Sequence, residues 1–587
     1  MVPPLAVLLV AMKVKTFFTS LLLIAALALA VGLGGFWGIT SRNPLALLKH
    51  GGQSLPQATK FVPRRAPLVA SVLASPDRLI NLWKLLAAPS LRNQTQTEID
   101  LLKSYLLAGT GLSYENDIRP WINQEITFAL VTPDIDEDGS NGQQPGYLIV
   151  LSCRDRNLAQ ETLDLYWQRR AIAGDSLVLE EFAGSQLISA RQTASYTDVT
   201  EIKAENFTQA STIIGDRFVL LANSTDVLKQ ALTTVQSPDL RLSDDSGFQS
   251  SFASLPSQRV GMVVINLPQS LRWLGLVADN RPPTNGLGTE DNLFDRTILS
   301  LRLNRQGLVA DTAFLAAPGH RFNSHMPTYS TFEAAQLLPT DTSLAAVGYN
   351  LAEFWKKSSQ FLDQYGLSMD SLAETPFQLF NTKVQSSLLL DWIKTEYAVG
   401  LMDTPNSGLN WALMSQINPD TEPALQKLDH IAQQQGFSVG SLQLDDHYLT
   451  VWSQLTVAND KRDAQRYPIR INTEITGLRT EISDYTLFSD SATAIDQVLT
   501  AKKPLPETKI WLSAINPLAK PNTGYFYLNW PQIVPKLEQK LPWLRLVEAV
   551  GQPFLRHVKA IAMTGYNSQS QIRTGAISIY LSNLDRS

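Results

Sequence analysis

FVLLANSTDVLKQAL, residues 218–232, runs from five apolar residues through a polar turn into the start of an amphipathic helix. A related stretch, YTLFSDSATAIDQVL, returns at residues 485–499, a displacement of 267 positions (485 − 218). A short continuous apolar run bounded by turn residues reads as a strand. Ser224 or Thr225 in the first stretch, and Ser491 or Thr493 in the second, stand where free backbone N–H groups at a helix start need an acceptor, which is a capping role. An anionic ligand could use the same terminus only if a pocket opened there. Neither stretch carries a glycine-rich loop or a reactive side chain, so the recurrence speaks of architecture.

Working outward, the repeat extends along the chain. Pro63 with residues 68–70 corresponds to Pro339 with residues 344–346, and the segment around Trp83 to that around Trp355. Residues 126–130 correspond to 397–401, 147–151 to 411–415, and VVINLP (263–268) to FYLNWP (526–531). The closing hairpin at 298–303 and 308–315 reappears at 560–566 and 573–581. Chance does not place six such pairs in one order. Strands and helices mix without strict alternation, which predicts an α+β fold: two tandem homologous domains with mainly antiparallel sheets and packed helices, preceded by one transmembrane helix.

That helix is read from FFTSLLLIAALALAVGLGGFWGI, residues 17–39, which carries no charge. At about 1.5 Å per residue it would reach roughly 34 Å, more than the ~30 Å of a bilayer's hydrocarbon core. The resulting division is residues 1–15 as a cytoplasmic N-terminus, 16–40 as a signal anchor, 41–60 as a stalk, 61–316 as the first copy, 317–331 as a linker and 332–587 as the second copy. A start at Met12 would leave residues 1–11 untranslated. Cleavage after Ala28-Leu29-Ala30 is the alternative to an uncleaved anchor.

Composition narrows the function classes. With 44% hydrophobic and 18% charged residues the body is globular, and a net charge of −5 without a block of like charges argues against nucleic acid as a partner. Cys153 is the only cysteine, so an internal disulfide or a thiolate metal cluster is excluded, and it reads as a buried thiol at a strand end.

The acidic loop Asp134-Ile135-Asp136-Glu137-Asp138-Gly139 matches the start of a calcium loop, with Asp134, Asp136 and Asp138 as candidate ligands. Its twelfth position is Pro145 where an EF-hand needs a bidentate glutamate, so calcium would be bound by a non-EF loop or the loop is merely solvated. No other cofactor is called for. Gly436-Phe437-Ser438-Val439-Gly440 fits a hydrolase GxSxG pattern, but a helix precedes it and a strand follows, the reverse of a nucleophile elbow. Gly436 is read instead as a helix cap. His320 and His325 lack a nearby third ligand. The pairs Asp244-Asp245 and Asp445-Asp446 read as turn residues. Trp411, Trp452, Trp511, Trp530 and Trp543 could serve contacts or cores.

The anchor, the LPTDTSLAA opening of the second copy (338–346) and the strand-turn-helix motifs together resemble the cyanobacterial domain-of-unknown-function family 3352. The resemblance implies a photosynthetic bacterial host and a plasma or thylakoid membrane, with the body facing the periplasm or lumen. It brings no established activity or site residues. The expected role is a membrane-anchored extracytoplasmic binding or assembly protein, whose partners are the lipid bilayer and membrane or envelope proteins. The alternatives are an envelope hydrolase with a non-motif active site and a carrier of lipid or pigment.

Overall fold

In a computed structural model, the described residues are 55–75, 112–138, 143–191, 209–273, 294–322, 327–356, 390–404, 408–444, 446–458, 470–540 and 555–581. The expected anchor at 16–40, the segment around Trp83 and Trp543 lie outside them. Among the described residues no helix is long and apolar enough to cross a membrane.

The first run of elements is β1 (Leu68–Val72), β2 (Ile122–Thr132), β3 (Gly146–Cys153), α1 (Arg156–Ile172), β4 (Ser176–Phe182), β5 (Ser185–Arg191), β6 (Ala210–Ile214), β7 (Phe218–Ala222), α2 (Thr225–Gln236), α3 (Ser246–Ala253), β8 (Gly261–Asn266), α4 (Leu267–Trp273), β9 (Phe294–Asn304) and β10 (Gly307–Ala316). The second is β11 (Thr342–Tyr349), β12 (Glu396–Thr404), β13 (Gly408–Gln416), α5 (Thr421–Gln434), β14 (Ser438–Leu444), β15 (His447–Ala458), β16 (Arg470–Ile482), β17 (Tyr485–Ser489), α6 (Ala492–Leu499), α7 (Lys509–Ile515), β18 (Gly524–Asn529), α8 (Trp530–Lys540), β19 (Val558–Ser568) and β20 (Ile572–Leu581).

These strands make one mixed α+β architecture around a 20-stranded sheet in which every pairing is antiparallel. In the first run the spatial order is β4-β5-β6-β7-β3-β2-β1-β8-β9-β10. In the second it is β14-β15-β16-β17-β13-β12-β11-β18-β19-β20. The two orders match strand for strand. β10 and β20 pair with each other from Gly307↔Tyr580 to Leu315↔Ile572, so the sheet is continuous through both runs. The two runs therefore meet edge to edge. Gly307 begins β10 at φ 156, and a Cβ at that position would run into the Ile579 carbonyl.

Helices cover both faces, which explains the apolar run that opened the sequence analysis. Successive strand residues point to opposite faces. Phe218, Leu220 and Ala222 pack with Val227, Leu228, Ala231 and Leu232 of α2 and with Phe248 of α3. Val219 and Leu221 pack the other way, against Leu163, Tyr166 and Trp167 of α1. All five strand residues are buried, and each large aliphatic side chain so enclosed contributes about 1.5–3 kcal/mol. The second stretch divides likewise: Leu487 meets Ala494, Ile495 and Val498 of α6, whereas Phe488 meets Trp411, Trp452 and Leu428. Trp411, Trp452 and Trp511 are therefore core side chains.

Two boundary expectations need correction. Residues 57–60, assigned to the stalk, fall in a short 3-10 helix, Gln57–Phe61, whose Ala58, Thr59 and Phe61 are buried. Within the expected linker, Phe322 N–H donates to the Ser570 carbonyl and Tyr329 exchanges backbone hydrogen bonds with Asn522. The first segment is held because the Glu125 carboxylate on β2 accepts its N–H groups, the second because backbone groups of Ser570 and Asn522 pair with it.

Candidate functional site

The strand-to-helix turn does cap its helix in the first run: Ser224 Oγ accepts from Asp226 N–H at 3.1 Å. Ser491 occupies the corresponding N-cap of α6 but makes no side-chain cap bond; its own N–H donates to Ser489 Oγ at 3.1 Å. The residue before each serine does more. Asn223 Oδ1 accepts from Tyr147 N–H at 2.7 Å while its Nδ2 donates to the Pro145 carbonyl at 2.8 Å. Asp490 Oδ1 accepts from Trp411 N–H at 3.1 Å. Each clasps the adjacent strand, β3 or β13, beside the turn, so the turn's polar groups are occupied in holding strands together.

The acidic loop is also tied internally. Asp134 Oδ1 accepts from Gln144 N–H, Asp136 Oδ2 from Gln144 Nε2 and Asp136 Oδ1 from Asp138 N–H, each at 3.1 Å. Among the described residues no three His, Cys, Asp or Glu side chains are gathered so as to hold a metal ion. The GxSxG segment follows the reading from its context: α5 ends, Gly436 takes φ 89, and Ser438 begins β14 exposed to solvent. His430 pairs with Gln434 on the outer face of α5, and His325 lies outside the described residues. Cys153 is buried, which pushes its thiol pKa up. Asp245 is not a simple turn residue. It caps α3 by accepting from Phe248 N–H at 2.7 Å and pairs at 2.7 Å with the buried Arg296.

The feature that sequence reading missed is a pair of buried carboxylates. Glu125 on β2 is 1% exposed and Glu396 on β12 is 3% exposed. Glu125 Oε2 accepts from Gln57 N–H at 2.9 Å and Oε1 from Ala58 N–H at 2.8 Å, both at the start of the 3-10 helix. Thr127 Oγ1 stands 3.3 Å from Oε1, and Ser71 Oγ lies 2.8 Å from Thr127 Oγ1. Lys60 lies over the Phe218 ring at 4.3 Å from its centre. Burial drives the Glu125 pKa up against the pull of these donors, and burial lowers that of Lys60.

Glu396 holds the start of a second 3-10 helix, Ala334–Leu337, by accepting from Ala334 N–H at 2.7 Å. Its Oε2 takes the hydroxyls of Tyr349 at 3.2 Å and Tyr485 at 3.4 Å. Tyr329 stacks on Tyr349 with ring centres 3.6 Å apart. Burial and the neighbouring Glu396 push Tyr349 up to about 12, so its phenol stays a donor at neutral pH. The signal available in sequence was a lone glutamate in each otherwise apolar strand, QEITFAL and TEYAVGL. A charge at an inward strand position needs a buried partner.

No match was found among the curated proteins. One solved structure, described as "Structure of crystal form I of TP0453", aligns with 9% sequence identity over 48% of this chain and 82% of its own, at a TM-score of 0.22. That likeness is too slight to bear on the fold. The family described as "Protein of unknown function (DUF3352)" matches residues 21–581, nearly the whole chain. The chain therefore belongs to the DUF3352 family.

Proposed function

We propose that this protein is a membrane-anchored extracytoplasmic binding or assembly protein built from two homologous α+β units. The uncharged run at 17–39 supports the anchor, and the matching strand orders of the two runs support the duplication. The observation that carries the binding role is β14. Among the described residues it pairs on one side alone, with β15, and it is open to solvent along most of its length. Its sequence, SVGSLQL, has no charge and no proline, the devices by which proteins commonly protect a sheet edge. Leu442 on this strand and Tyr448 on the next are exposed apolar residues. Such an edge offers backbone hydrogen bonds and side-chain contacts to a strand of a membrane or envelope protein. By contrast β4, the other outer strand, carries Glu180 and Glu181.

The test is affinity purification of the full chain from solubilised membranes, beside a Leu442→Lys variant. The proposal expects a defined partner to accompany the wild type and to be lost from the variant. An identical set of partners, or a hydrolytic activity with nothing co-purifying, would overturn it.

A further inference from the structure

The edge strand β14 is joined to β15 by a two-residue turn, with Leu444 opposite His447. Such a turn makes its flanking residues a hydrogen-bonded pair, and hydrogen-bonded and non-hydrogen-bonded pairs then alternate along the ladder. Leu444, Leu442 and Gly440 therefore turn their backbone groups toward β15, whereas Ser441 and Val439 turn theirs to the open side. Ser441 is the middle residue of Ser438–Leu444. Side chains alternate as well, so Gly440 and Leu442 share one face. Leu442 is 43% exposed, and a Cβ built at Gly440 would meet nothing within 4 Å. One residue of this face projects and the other leaves a gap.

An antiparallel strand of the same sequence, centred on Ser441, would set a leucine opposite Gly440 and a glycine opposite Leu442. Both fall at non-hydrogen-bonded sites, where the side chains of two strands stand closest. The projection and the gap thus fit each other when two copies of β14 meet, and a two-fold axis makes the contact twice. Charge agrees, because β14 carries none and so does not repel its own copy. β4 lacks this self-match: counted back from its own two-residue turn, it has Val178 in place of Gly440 and Glu180 in place of Leu442. Glu180 is bound to Lys229 of α2 at 2.8 Å. Antiparallel pairing of equivalent edges is also a joint this fold already makes, between β10 and β20.

We propose that the strand β14 receives is β14 of a second copy of this chain, paired antiparallel about a two-fold axis at Ser441, with Leu442 of each copy seated over Gly440 of the other. The proposal rests on the reading of β14 as an open edge and names its partner. Pairing slows exchange of the β14 amides as protein concentration rises, but leaves them faster than those of the central strands, since they are released whenever the two copies part.

The test places single cysteines in the full chain, Ser441→Cys or Ser438→Cys, and oxidises them in membranes. The natural Cys153 is buried. Opposed residues of a hydrogen-bonded pair have Cα atoms about 5.5 Å apart, within the span of a disulfide. Ser441→Cys should therefore yield covalent dimers. Ser438→Cys, which the axis sets against Leu444, should yield none, and adding Leu442→Lys to Ser441→Cys should remove the dimer. Hydrogen exchange of the wild type is the second readout: β14 should slow with rising protein concentration while β10 and β20 keep their rates. No dimer from Ser441→Cys, together with β14 exchange independent of concentration, would overturn the proposal. If affinity purification then still recovers a different protein that Leu442→Lys loses, the open-edge reading stands with another partner; if it recovers none, both fall. Equal linking through Ser438→Cys would mean random collision and would overturn the two-fold pairing.

Discussion

Glu125 and Glu396 sit on equivalent strands and do the same job, each receiving the N-terminus of a 3-10 helix, yet they are satisfied differently. The first accepts two backbone N–H groups and a threonine hydroxyl. The second accepts one backbone N–H group and two tyrosine hydroxyls. Position 218 is Phe beside Glu125, whereas its counterpart 485 is Tyr and reaches Glu396. The comparison teaches that the carboxylate belongs to the scaffold, since it survives a complete change of side-chain partners.

The comparison can be broken most sharply at the carboxylates. Glu125→Ala leaves two buried backbone donors without acceptors, so unfolding free energy from urea titration should fall by about 3 kcal/mol. Glu396→Ala should cost less, about 2 kcal/mol, because one backbone donor is stranded and the tyrosine hydroxyls can turn elsewhere. An inverted order would mean that the tyrosine cluster, and not the helix terminus, dominates. At the strand clasp, Asn223→Ala removes two hydrogen bonds and should cost about 2 kcal/mol, against about 1 kcal/mol for Asp490→Ala. At the caps, Ser224→Ala should cost about 1 kcal/mol, and Ser491→Ala only a few tenths, since Ser491 makes no side-chain cap bond. Equal losses at the two serines would erase that difference between the runs.

The smallest effect is one of pH. Burial raises the Glu125 pKa above its ordinary value of 4.5, so the folded state holds this proton more tightly than the unfolded state does. Its contribution to stability is then fullest below that ordinary value and is lost as pH rises through the raised one. Measured between pH 4.5 and 7, the stability of wild type relative to Glu125→Gln should fall as pH rises. A relative gain with rising pH would show that the N–H donors outweigh burial.

Much of the fold was legible because its signals are local. The Ala183-Gly184 turn between β4 and β5 has both residues at positive φ, as a two-residue hairpin requires, and the strand-turn-helix stretches form where the apolar run and serine placed them. The continuous sheet was not legible, because the seam joins Gly307 to Tyr580 across most of the second run and nothing in either strand's periodicity names its neighbour. The 3-10 helix at Gln57–Phe61 escaped for a similar reason: its N–H acceptors lie 67 and 68 positions away, on Glu125. In the acidic loop the Asp134 and Asp136 carboxylates accept from Gln144 and from the Asp138 N–H, ties within the loop that its sequence does not announce.

The central claim is that the two runs of matching strand order share one sheet through the β10–β20 seam, which among the described residues leaves β14 as an open edge. Amide hydrogen exchange of the full chain, resolved for the peptides carrying β10, β20 and β14, tests it most directly. β10 and β20 should exchange together in the slowest class while β14 exchanges fast. If β10 or β20 exchanged as fast as β14, the seam would not exist in solution and the account would be contradicted.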